Sequence, residues 1–209
     1  MFIHSRLPIL TSCLFAFLAC VALTGCQQKA PQDVASLAIY LADPANGLVH
    51  EHTAKPWHLM LRLLPDSFLT QLQGDETTLP ARAESRFASQ TITLKLQVAS
   101  LEKGIPVQEL MQQYPVAGTA TTDAQTQLLY HMQDAGHLKI NNKVIKPLAA
   151  FAEVTAQSDQ SVNIVFVFPF TSDVLDGCPP VDFVLDNAFF LADPIRFHFA
   201  AKDILAVMP

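Results

Sequence analysis

The nine residues Thr91–Ala99 constrain the fold more than any other stretch. Ile92, Leu94, Leu96 and Val98 alternate with Thr93, Lys95 and Gln97. Successive side chains of a strand point to opposite faces, whereas a helix would scatter these apolar residues around its circumference. A strand with one apolar and one polar face needs a sheet, and that sheet needs a second layer to cover it. The same alternation returns late in the chain, where Ile195, Phe197 and Phe199 alternate with Arg196 and His198. Ile164–Phe170 is apolar on both faces, with Val165 and Val167 opposite Ile164, Phe166, Phe168 and Phe170. That pattern suits a central strand. Phenylalanines at period two predict sheet packing rather than a ligand box.

The remaining elements are shorter. Leu48–His52 and Trp57–Leu63 predict a hairpin with its loop around Thr53–Pro56, closed by Pro65 and Asp66. The apolar run Val34–Leu41 ends at the turn signal Asp43-Pro44-Ala45-Asn46-Gly47. Val107, Leu110, Met111 and Tyr114 fall at helical spacing between Pro106 and Pro115, so a short helix is expected there. Residues 70–91 are polar and aperiodic and predict a long loop. Residues 123–135 read two ways. Thr122 could cap a helix ending at Gly136, but Leu128, Tyr130 and Met132 also alternate with their neighbours. We read a meander: a strand, a turn at Asp134-Ala135-Gly136, a strand through Leu138 and Ile140, a turn at Asn141-Asn142, and a strand at Val144. With Val181–Leu185, this makes about eight short strands and one or two short helices, a mostly β chain best arranged as a β-sandwich-like domain with Greek-key-like connections.

Ahead of this domain, Arg6 precedes a run from Leu7 to Ala22 that is almost wholly apolar, ending in Leu23-Thr24-Gly25-Cys26. A basic start, an apolar middle and small residues form the layout of a secretory signal. The run is shorter than the roughly 20 apolar residues that span a bilayer. Its end resembles a bacterial lipobox. In lipoproteins bearing that motif the cysteine carries a diacylglycerol thioether, the peptide is cut before it, and the new amino group is acylated. The resemblance implies a signal peptide over 1–25, lipid on Cys26 as the sole prosthetic group, a polar tether over 26–33 and a globular domain over 34–209. The alternatives are an uncleaved anchor or a soluble periplasmic protein. Gln27 follows the cysteine where retained inner-membrane relatives carry Asp, which leans towards the outer membrane, facing the periplasm. The order of features also resembles a group of bacterial envelope lipoproteins without assigned activity. Shared are a turn at Asn46-Gly47-Leu48, a strand ending at Leu64-Pro65-Asp66, and the segments Leu128–Met132, Leu138–Ile140 and Ile195–Phe199.

Composition narrows the partners. Without residues 1–25 the chain has 12 basic and 19 acidic residues, a net charge of −7. Such a balance disfavours nucleic acid and anionic head groups. Cys13 and Cys20 would leave with the signal and Cys26 would be lipidated, so Cys178 would stand alone, without an intramolecular disulfide.

The best candidate for chemistry is His50-Glu51-His52 with His58 nearby. If position 52 pairs with 58 across the hairpin, then His50, His52, His58 and Met60 share one face, a donor set suited to copper or zinc. If 52 pairs with 57, His58 lies on the opposite face. Placing Trp57, Leu59 and Leu61 in the core favours the first register. The bland alternative is a polar strand face. Nucleophilic motifs are missing: there is no Gly-x-Ser-x-Gly, and seven glycines in 209 residues form no phosphate loop. The expectation is therefore a non-catalytic envelope module, held to the membrane by lipid and binding an envelope protein. The alternative is a binder of metal or of a small apolar ligand.

Overall fold

The computed structural model describes residues 30–31, 33–66, 68–69, 91–113, 124–153 and 160–208. Cys26, the apolar run before it, most of the tether and all but the last residue of the loop expected over 70–91 lie outside them. Nine strands are described: β1 (Val49–Ala54), β2 (Trp57–Leu64), β3 (Thr91–Ser100), β4 (Gly136–Ile140), β5 (Lys143–Ile145), β6 (Ala149–Glu153), β7 (Ser161–Pro169), β8 (Val181–Leu185) and β9 (Ile195–Phe199). The four α-helices described are α1 (Val34–Ala42), α2 (Val107–Gln113), α3 (Ala124–Tyr130) and α4 (Ala201–Val207).

The period-two strand β3 sits where its pattern requires, paired antiparallel to β2 and β7 in a five-stranded sheet of order β1-β2-β3-β7-β6. Its residues Ile92, Leu94, Leu96 and Val98 are buried against a second, four-stranded sheet of order β5-β4-β8-β9. Both sheets are antiparallel throughout, and the fold is mostly β and sandwich-like. Aromatic rings join the layers. Phe166 and Phe168 of β7 lie 5.1 and 6.1 Å from the ring of Phe183 on β8, and Phe183 lies 6.3 Å from Phe197 on β9. Tilted and edge-on rings at such separations add to what their burial contributes. Gly136 leaves room for this stack, since a Cβ there would lie 2.8 Å from Cζ of Phe183.

Helices close the ends. Leu37 and Leu41 of α1 join the core, and Asp33 caps that helix by accepting from the Ser36 N–H at 2.9 Å. That hydrogen bond favours the ionised carboxylate and lowers its pKa below the ordinary aspartate value. Val107, Leu110 and Met111 of α2 are also buried, as their spacing predicts. Trp57, 1% exposed, donates its indole N–H to the Phe190 carbonyl at 2.9 Å.

One segment departs from the expected meander. Its first strand is helix α3, followed by a 3-10 turn over Met132–Asp134; β4 and β5 do form a hairpin. A strand would have put Leu128, Tyr130 and Met132 on one side. The helix and turn bury Leu128 and Met132, one helical turn apart, and turn Tyr130 out to 74% exposure. α3 packs against α2 and β6, so a core vacancy at this end selects the helical period over the strand period.

The sandwich has two margins. At one, β1 and β9 terminate their sheets and face each other. At the other, β5 and β6 terminate theirs and are joined directly by Lys146, Pro147 and Leu148.

Candidate functional site

The β1–β2 hairpin turns through Lys55 and Pro56, whose peptide bond is cis, so that Ala54 faces Trp57. That two-residue connection fixes the register as His52↔Leu59, His50↔Leu61, Thr53↔His58 and Glu51↔Met60. Directly opposed residues of an antiparallel pair share a face. The expected set is therefore divided: His50 and His52 point to the core side, while His58 and Met60 lie on the outer face. The shared face proposed for His50, His52, His58 and Met60 does not form. The observed register differs by one residue from the expected pairing of 52 with 58, because the strands extend to Ala54 and Trp57 and the connection is only Lys55-Pro56.

On the outer face both donors have other partners. His58 Nε2 lies 3.4 Å from Glu51 Oε2. The Met60 sulfur accepts from Arg62 Nε at 3.2 Å and from its terminal nitrogen at 3.0 Å. Among the described residues, no three His, Cys, Asp or Glu side chains converge in an arrangement that could hold a metal ion.

The inner pair meets the other sheet. His50 stands edge-on to Phe199 with ring centroids 4.6 Å apart, and His52 stands edge-on to Phe197 at 6.3 Å. His50 Nε2 lies 3.1 Å from the Gly47 carbonyl, which takes a hydrogen bond when that nitrogen carries a proton. Gly47 has φ +69° and lies beneath a carboxylate: a Cβ there would be 2.4 Å from Asp203 Oδ2 of α4. Burial lowers the His50 pKa from its ordinary value; the Gly47 carbonyl and Asp203 oppose that shift, and His198 adds to it. The imidazole is thus held towards its neutral form.

On the solvent side of β9, Asp182 of β8 accepts from His198 Nδ1 at 2.9 Å and lies 3.6 Å from an Arg196 nitrogen. This contact orients the His198 ring on a face of β9 that is largely exposed. The hydrogen-bond partners of the two rings are thus a backbone carbonyl for His50 and a carboxylate for His198. Cys178, exposed at φ +52°, occupies the turn after Leu175.

Sequence reasoning missed Asp203 and the Asp182–His198 pair. The second was open to inference, because His198 sits at an outward position of a clear strand; its partner depends on β8–β9 pairing. Comparison with protein-family models gives no match, and comparison with curated proteins gives none either. Among the described residues, no helix is long and apolar enough to cross a membrane.

Proposed function

We propose that the chain is a membrane-anchored lipoprotein of the bacterial cell envelope whose β-sandwich works as a non-catalytic interaction module. The observation that carries the reading is the apolar run ending in Leu23-Thr24-Gly25-Cys26. Several acyl chains on one cysteine give a stable anchor, at about 0.8 kcal/mol per buried CH2. α1 begins at Val34, but Ala30 already packs against the core, so only the four residues from Cys26 to Ala30 separate the lipid from the domain, about 14 Å when extended. The domain works close to that surface, and Gln27 directs it to the outer membrane, facing the periplasm.

A module of this kind acts through what it touches. Its support is a sandwich with a continuous core whose two sheets each end in edge strands at both margins. The test is Cys26→Ser. The variant is expected to leave the membrane fraction and to lose the mass of the acyl groups. Retention of the variant in the membrane overturns the anchoring reading.

A further inference from the structure

We infer that the β5–β6 margin is a docking surface for an extended polypeptide segment of a partner protein, rich in apolar and acidic side chains, laid alongside β6. The inference rests on the interaction-module reading and names its surface. Three observations converge on this margin. First, β6 ends its sheet, so one row of its backbone N–H and C=O groups faces away from β7. Edge strands are ordinarily guarded by lysine, proline or a bulge; β6 reads Ala149-Ala150-Phe151-Ala152-Glu153, and Glu153 is engaged by Lys95.

Second, large apolar side chains are exposed along this margin. Leu148 of the connection is 59% exposed and Phe151 of β6, three residues on, is 46% exposed; Val144 of β5, also 59% exposed, opposes Lys139 and lies on the outer face of the other sheet. Tyr130 and Leu129 of α3, which packs against β6, add to them. Exposed apolar residues gathered in one region mark an interaction surface, whereas scattered ones do not.

Third, the margin is locally basic in an acidic chain. Residues 134–153 carry Lys139, Lys143 and Lys146 against Asp134 and Glu153, and Glu153 is already paired with Lys95, whereas the whole chain carries a net charge of −6. Lys146 lies 3.8 Å from Asp134, with both side chains largely in water, a pairing that yields readily to another carboxylate. The charge therefore selects an acidic occupant. A bilayer of anionic lipid shares the charge and apolar match but has no ordered row of groups to pair with a strand edge. A second copy would set these lysines against themselves.

The experiment uses the full-length lipidated protein in the cell that makes it, with a photo-crosslinking residue replacing Leu148 or Phe151. Controls carry it at His52 or Arg196 on the opposite margin. The expected result is a protein adduct at 148 and 151, at least fivefold above the controls. Its crosslinked peptide maps to an acidic, apolar segment of another protein. Lys143→Glu with Lys146→Glu is expected to reduce the yield at least fivefold at unchanged melting temperature, and Lys143→Arg with Lys146→Arg to retain it. Lipid adducts alone, adducts to a second copy, equal yields at the two margins, or no adduct at 148 and 151 each overturn the inference. The two readings fail separately: Cys26→Ser that stays in the membrane ends the anchoring reading, while the contrast between margins still decides the docking surface.

Discussion

One inward row of the five-stranded sheet runs His50, Leu61, Leu96, Ile164, Ala152. Its middle is ordinary core, but its two ends differ. At β1 the row ends in an imidazole that meets Phe199 and reaches the Gly47 carbonyl. At β6 it ends in an alanine, and the bulky residue of that strand, Phe151, faces the other way into solvent. A margin that water reaches needs a side chain able to pack on one side and hydrogen-bond on the other. Histidine meets that need at β1, and Glu51, Thr53, Arg196 and His198 complete a polar rim there. The β5–β6 margin keeps its apolar side chains in water, which lowers solubility unless something covers them. Two margins of one sandwich thus separate a finished surface from an unfinished one.

Four measurements set the two margins and the core between them against each other. Phe199→Ala, at a ring 1% exposed beneath His50, is expected to cost about 3–5 kcal/mol in urea unfolding. A loss below about 1 kcal/mol would mean that the β1–β9 margin is not packed as described. Gly136→Ala is next. The new methyl meets the Phe183 ring, and overpacking at such a site costs about 1–3 kcal/mol, whereas β-propensity alone would make the change stabilising.

The third concerns pH. The His50 pKa is lower folded than unfolded, so the unfolded chain binds the proton more readily. Stability from this group is then complete above the ordinary histidine value and declines as pH falls through about 6.5. One proton gives a slope of at most about 1.4 kcal/mol per pH unit, and the half-exposed ring gives less because water screens it. His50→Phe should flatten the dependence of melting temperature on pH between 5 and 7, and an unchanged slope would assign the proton elsewhere. The smallest effect is expected at the other margin, where Phe151→Ser should change stability by no more than about 0.5 kcal/mol while raising solubility. A large loss there would show Phe151 to be core.

Much of this fold is legible in the residues. The inward faces of β3 and β9 follow from period two alone, because each buries its apolar set against the other sheet. The helix over Val107–Gln113 follows from its spacing and its leading proline. Two features resist such reading. Whether residues 124–130 coil or extend depends on what lies across the core, and which residue His52 opposes depends on the length of one turn. Leu128 is at once part of a period-two and a period-3.6 pattern, and the space beside β6 decides between them. His52 is set by a turn of two residues, and one residue more or less exchanges every face of the strand. The candidate site suffered most, since a donor set spread over two strands exists only in one register.

Gly47 and His50 meet Asp203 and Phe199, so positions near the start of the described domain are in contact with its last helix. During synthesis β1 leaves the ribosome long before β9 and α4 exist. Until residue 203 has emerged, β1 has its hairpin partner β2 but neither the phenyl rings nor the carboxylate that complete its inner side. The sandwich therefore cannot finish this margin before α4 has joined it, and its closure waits for that helix.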